Sequence, residues 1–147
     1  MGNRSRNRNR NRSVCQRCPD LARIVGGTPA CVNDACLIQL LRDDLNPTIL
    51  GIRTESPLVL PVFFSIEEGV GARTLNLGEA VLRQEEVNTV MRVLRENNII
   101  VTALHNHWLF ERPRLMYMHW EARMRPEQFL RASREAFRAA GVSTRPL

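Results

Sequence analysis

The chain has 147 residues, 44% of them hydrophobic, and a formal charge of +6, with every one of its 21 basic residues an arginine. Five arginines (Arg4, Arg6, Arg8, Arg10 and Arg12) fall in residues 1–12 with no acid among them, so the remaining 135 residues hold 16 Arg against 15 Asp plus Glu and are nearly neutral. That division excludes a uniformly basic, histone-like body, the length suits one core, and no apolar run approaches the roughly 18–20 residues of a membrane span.

Residues 1–14 are Arg- and Asn-rich with almost no apolar side chain, so nothing there offsets the entropy of ordering a backbone, and the sequence predicts a disordered tail. Through residues 2–12 such a tail attracts a polyanion or nucleic acid by charge, or serves only to solubilise; it holds no aromatic to stack on bases. The charged start lacks the apolar stretch of a secretory signal, and Arg6 stands where a myristoylation motif needs Ser or Thr. The expectation is a soluble cytoplasmic protein.

Cys15 and Cys18, then Cys31 and Cys36, form two close pairs in a stretch rich in turn formers (Pro19, Gly26, Gly27, Pro29, Asn33, Asp34). Four thiolates so paired can close a tetrahedral zinc site, whose metal would supply folding energy to a segment with little core of its own. Expecting a reducing compartment, we read zinc as the cofactor here, with disulfides, a Cys15/Cys18 redox pair or free thiols as the alternatives.

Beyond Cys36 the pattern is that of a packed domain. Short apolar runs at 37–41, 48–52 and 58–66 read as strands, the last bent or at an edge because of Pro61, and another follows near 79–82. Val87, Val90, Met91 and Leu94 recur at i, i+3, i+4 and i+7, predicting a helix over 84–96 that stops at Asn97-Asn98. Residues 99–104 read as a buried strand, 108–113 as a loop and 115–120 as its hairpin partner; Pro126 opens a last helix closed by Gly141. The expected class is α+β, a mixed, mainly antiparallel sheet with two helices packed on one face, preceded by the Cys-rich segment and the tail. This divides the chain into a tail (1–14), a Cys segment (15–36) and a main domain (37–147). Exposed sheet edges make a homodimer an expectation too.

All three histidines fall within 15 residues. On a strand, alternation puts His105 and His107 on one face about 7 Å apart, and a hairpin brings His119 alongside, with Glu111 contributed by the loop. Together they form an N/O ligand set for an unidentified divalent metal such as Zn, Mn, Fe, Ni or Cu. His-x-His-x-x-x-Glu also occurs in cupins, but that motif's flanking glycines are missing here. The competing reading makes the histidines hydrogen-bonding groups, or the lining of an anion pocket with Arg112 and Arg114. Were the site catalytic, the candidates are His105, His107, Glu111, Arg114 and His119, as metal-water ligands or as acid and base near neutral pH.

Val101-Thr-Ala-Leu-His-Asn-His107, followed by Glu111, Pro113-Arg114 and Met116-Tyr117-Met118-His119, resembles the LppY/LpqO-type bacterial domain of unknown function, often found in lipoproteins. Gly78 to Leu82, Glu86 to Asn88 and Arg42 to Asp44 are similar to other segments of that family. The resemblance spans about residues 36–140 and implies a shared fold and site without an established reaction.

Three readings of function follow. The first is a small metal-binding protein with structural zinc on Cys15, Cys18, Cys31 and Cys36 and a second metal on His105, His107, Glu111 and His119. The second is a non-enzymatic interaction module whose Arg tail and Cys segment bind nucleic acid, another polyanion or a protein partner. The third is a metal-dependent hydrolase or lyase acting on a small anionic substrate, with Arg112 and Arg114 as anion contacts and Glu111 as general base.

Overall fold

A computed structural model describes residues 12–147, so the tail expected at 1–14 lies almost wholly outside the described residues. The first element is a helix, α1 (Val14–Val25), where the sequence suggested turns. Its local cause is a capping box: Ser13 Oγ accepts the Gln16 N–H while the Gln16 side chain accepts the Ser13 N–H. Val14, Cys18, Leu21 and Ala22 form its buried stripe, and Gly26 closes it with φ +75°, a left-handed conformation that suits glycine.

The strands are β1 (Thr28–Val32), β2 (Ala35–Arg42), β3 (Thr48–Ile49), β4 (Ile52–Arg53), β5 (Pro61–Glu67) and β6 (Thr74–Arg83). A short 3-10 turn (Gln84–Glu86) leads into α2 (Val87–Glu96), then β7 (Ile100–His105), β8 (Glu111–Arg112), β9 (Leu115–Met124), α3 (Pro126–Ala140) and β10 (Thr144–Pro146). The main sheet runs β1-β2-β5-β6-β9-β7, with β10 also on β2, and a small sheet runs β4-β3-β8. Every registered strand pair is antiparallel.

Period-two alternation sends alternate side chains of β2, β5, β6 and β9 under the helices. Ile38, Val62, Phe64, Ala80, Leu82, Met118 and Trp120 form one core with apolar residues of all three helices, and α3 packs against both α1 and α2. Trp120 is the largest buried side chain. It fits because its cross-strand partner is Gly78: a Cβ there would lie 2.5 Å from the indole. Its Nε1–H donates to Ser133 Oγ at 3.2 Å, which satisfies the one donor of this buried side chain.

Segment 42–60 and the small sheet cover part of the opposite face, burying Leu41, Leu45, Val59, Leu60, Val81, Leu115 and Tyr117. Arg42, 1% exposed, holds this cover in place. Its guanidinium donates to Asp44 at 2.8 and 3.0 Å, to both Glu86 oxygens at 2.9 Å and to the Val81 carbonyl at 3.0 Å. Burial alone would lower its pKa, but the hydrogen bonds and charges of Asp44 and Glu86 outweigh that and raise it.

The expected fold class needs correcting. Among the described residues three helices pack on the sheet, where two were expected, and the Cys segment is α1 plus the β1-β2 hairpin, joined to the main sheet through β2. The four-Cys zinc site is overturned as well, because the sulfurs form two disulfides, Cys15–Cys31 and Cys18–Cys36. Cys31 and Cys36 oppose each other across the hairpin, so both side chains rise from one face. Cys15 and Cys18, three apart on α1, lie on one helix face and each meets one of them. Cysteine spacing reports closeness in the chain, whereas this pairing depends on how the helix docks on the hairpin. With no thiolates free, zinc is not the cofactor of this segment. Disulfides belong to oxidising compartments, which corrects the cytoplasmic expectation.

Candidate metal centre on the open sheet face

The register arranges the uncovered face in rows. Gln39, Phe63, Glu79, His119 and Ala103 stand side by side across β2, β5, β6, β9 and β7, and Leu37, Ser65, Leu77, Glu121 and Ile100 form the next row. His105 reaches this face through a β-bulge. Ile100 and Val101 pair with Glu121 and Trp120, but Ala103 then pairs with His119, leaving Thr102 as an extra residue. Were the register of Ile100 and Val101 to run on without the bulge, His105 would oppose Met116, which packs against the helix-side core; with the bulge, His105 opposes Tyr117 on the same face as His119.

His107 follows the end of β7, so strand alternation is not what places it. Its ring stacks on Tyr117 with centroids 4.0 Å apart and planes 9° from parallel. Tyr117 is anchored in turn, donating its O–H to the Val59 carbonyl and accepting the Trp108 Nε1–H, each at 2.7 Å. Burial, together with the nearby charges of Glu111 and Glu79, pushes the Tyr117 phenol up to about 12 despite the hydrogen bond from Trp108.

The three imidazoles converge. Ring centroids are 4.7 Å apart for His105 and His107, 5.0 Å for His105 and His119, and 6.3 Å for His107 and His119. One nitrogen from each lies within 4.8 Å of the others. His105 and His107 are exposed and the His119 side chain is 29% exposed, so the cluster opens to solvent on one side. Partial burial and the charges of His105 and His119 lower the His107 pKa, against a smaller opposing effect of Glu79, which favours the neutral imidazole that ligates metals.

Glu79, absent from the sequence-based candidates, places a carboxylate oxygen 3.5 Å from His119 Nδ1. It lies 40 residues before His119 and reaches it only through the β6-β9 register, so no local motif could have revealed it. Glu111 is not among the converging groups. Its side chain is 1% exposed, with Arg114 Nε 3.0 Å from one oxygen, and neither oxygen accepts a hydrogen bond among the described residues. Arg112 is exposed on β8, in register with Thr48 of the small sheet. The anionic-substrate reading needed Glu111 and these arginines beside the histidines; instead, Glu111 and Arg114 pair with each other, and Arg112 sits on the small sheet.

No curated protein and no solved structure matches the chain. A family profile does match, over residues 19–139, a span that contains the bulge, all three histidines and Glu79. The chain therefore belongs to the family described as a domain of unknown function (DUF1259).

Proposed function

We propose that His105, His107 and His119 hold a single late first-row transition-metal ion, with no contribution from any cysteine and none from Glu111. The carrying observation is the approach of three ring nitrogens to within 4.8 Å of one another. Tetrahedral ligation at about 2.0–2.1 Å needs nitrogens about 3.3 Å apart, a contraction that small side-chain rotations supply because two of the rings are exposed. Three neutral imidazoles suit Zn, Cu, Ni or Co better than Mg or Ca, which prefer oxygen. Three protein ligands and a solvent-facing side leave a fourth position open. Glu79 faces the remaining nitrogen of His119, the place where histidine ligands commonly find a carboxylate that sets tautomer and ring orientation.

The finer family assignment, to the LppY/LpqO type, is also our reading; residues 101–107 and 116–119 support it, and those segments supply all three ligands. The test is titration of the oxidised protein with Co2+ or Ni2+, followed by optical spectroscopy and calorimetry. One equivalent should bind, and each of His105→Ala, His107→Ala and His119→Ala should weaken binding at least ten-fold. Unchanged stoichiometry and affinity in all three variants would refute the site.

A further inference from the structure

The covering segment 42–60 stops short of the two rows beside the triad, leaving a groove of about 280 Å³ between them. Leu37, Phe63, Ser65 and Leu77 line it, and Glu79 and His119 form its end. It is therefore continuous with the histidine cluster: one imidazole belongs to both. Its walls are mostly apolar and partly solvated, with Leu77 37% exposed, and burying such surface is favourable at about 25 cal/mol per Å².

Resting on the metal reading above, we propose that this groove binds the apolar body of a small organic ligand whose head group takes the open metal position. Three features define the ligand class. The volume lies at the small end of ligand pockets, which suits a single ring or a short branched chain and is too small for a peptide strand or helix. The lining supplies one carboxylate, Glu79, and no lysine or arginine, which disfavours an anionic body, while the apolar walls favour a neutral one, so any negative charge lies on the metal-binding head. Glu79 also accepts a hydrogen bond from an N–H or O–H next to that head. The class is an aryl or short alkyl compound bearing a compact O- or N-donor head, neutral or singly anionic.

Benzohydroxamate and acetohydroxamate share one metal-binding head and differ in the apolar body, so they are the probes. Bound to the Co2+-loaded full chain and followed by calorimetry and the cobalt visible spectrum, benzohydroxamate should bind at least ten-fold tighter. Leu77→Ser and Leu37→Ser should each reduce that preference to about three-fold or less, leaving affinity for Co2+ and for acetohydroxamate unchanged. Thermal unfolding of each variant checks that it is folded; Leu77, being partly exposed, is the safer of the two. Equal affinity of both probes for the wild type, or a preference that survives both substitutions, overturns the groove while leaving the metal site standing. Failure to take up Co2+ at all refutes the metal reading, and this proposal with it. Sedimentation of the wild type should show a monomer; a dimer abolished by Leu77→Ser would assign the groove to a second copy of the chain and overturn the ligand.

Discussion

The two faces of the main sheet use the same strands for opposite ends. On β9, Trp120 lies under the helices, hydrogen-bonded and 1% exposed, while His119, one residue earlier, faces outward beside Glu79. On β6, Gly78 yields its side-chain space to Trp120 and Glu79 turns to the histidines. The helix side pairs its polar groups: Asn76 donates to the Thr74, Ala122 and Met124 carbonyls, and Ser133 donates to the Phe129 carbonyl. The open side leaves three imidazoles and several apolar side chains without cover, among them Leu75, Leu77 and Ile100. A packed core tolerates few unpaired polar groups, whereas a binding site requires them, so alternation along a strand lets one element satisfy both demands.

Substitutions on neighbouring residues of β9 test this contrast most directly. Trp120→Ala should cost about 3–5 kcal/mol in denaturant unfolding, as expected for emptying an aromatic site that cannot collapse. A loss under about 1 kcal/mol would mean that the helix face is less tightly packed than the ring contacts with Phe64, 6.2 Å between centroids, indicate.

Removing the buried Cys18–Cys36 bridge by the double replacement Cys18→Ala and Cys36→Ala should cost about 2–4 kcal/mol, because it closes a separation of 18 residues. The loss should appear in the thermal midpoint with metal affinity unchanged, since the bridge joins α1 to the hairpin on the helix side. Altered metal affinity would show that the two faces are coupled.

A smaller effect is expected in acid. Burial of Asp44 would raise its pKa, but the hydrogen bonds and charge of Arg42, helped by Arg83, overcome this and hold it below its ordinary value of 3.8. A depressed carboxylate pKa stabilises the fold above the unfolded-state value, and that stability is lost as pH falls through the folded value. Asp44→Asn should therefore flatten the loss of stability below about pH 4. An acid limb identical to the wild type would remove Asp44 from the cover's anchoring network.

The smallest change is expected for His119→Ala, within about 0.5 kcal/mol of the wild type in the absence of metal, as for a surface substitution. If it instead destabilises the fold as much as Trp120→Ala, the open face is part of the core and the contrast fails.

Much of the local structure was legible in the chain. The helix at 84–96 follows from Val87, Val90, Met91 and Leu94, because one apolar stripe must face one core. The α1 helix was also written there, in the Ser13-to-Gln16 capping box and the spacing of Val14, Cys18, Leu21 and Ala22. Pro19 and the cysteine pairs, read as turn and zinc signals, concealed it. The histidines could be recognised as a cluster from their spacing alone. Strand alternation predicts their convergence, but its actual cause was hidden, because the bulge at Thr102 sets the face of His105 and leaves no composition signal there.

By itself, then, the sequence determined the split between an arginine-rich start and a near-neutral body, the periodic elements and the gathering of three histidines within 15 residues. All of these are local in the chain and set by propensity, charge and alternation. Tertiary structure alone decided the disulfide pairing, the arrival of Glu79 beside His119 and the removal of Glu111 to the small sheet, in register with Ile49. Each depends on register or docking between segments distant in sequence, where the energy of packing a whole sheet and its helices outweighs any local preference.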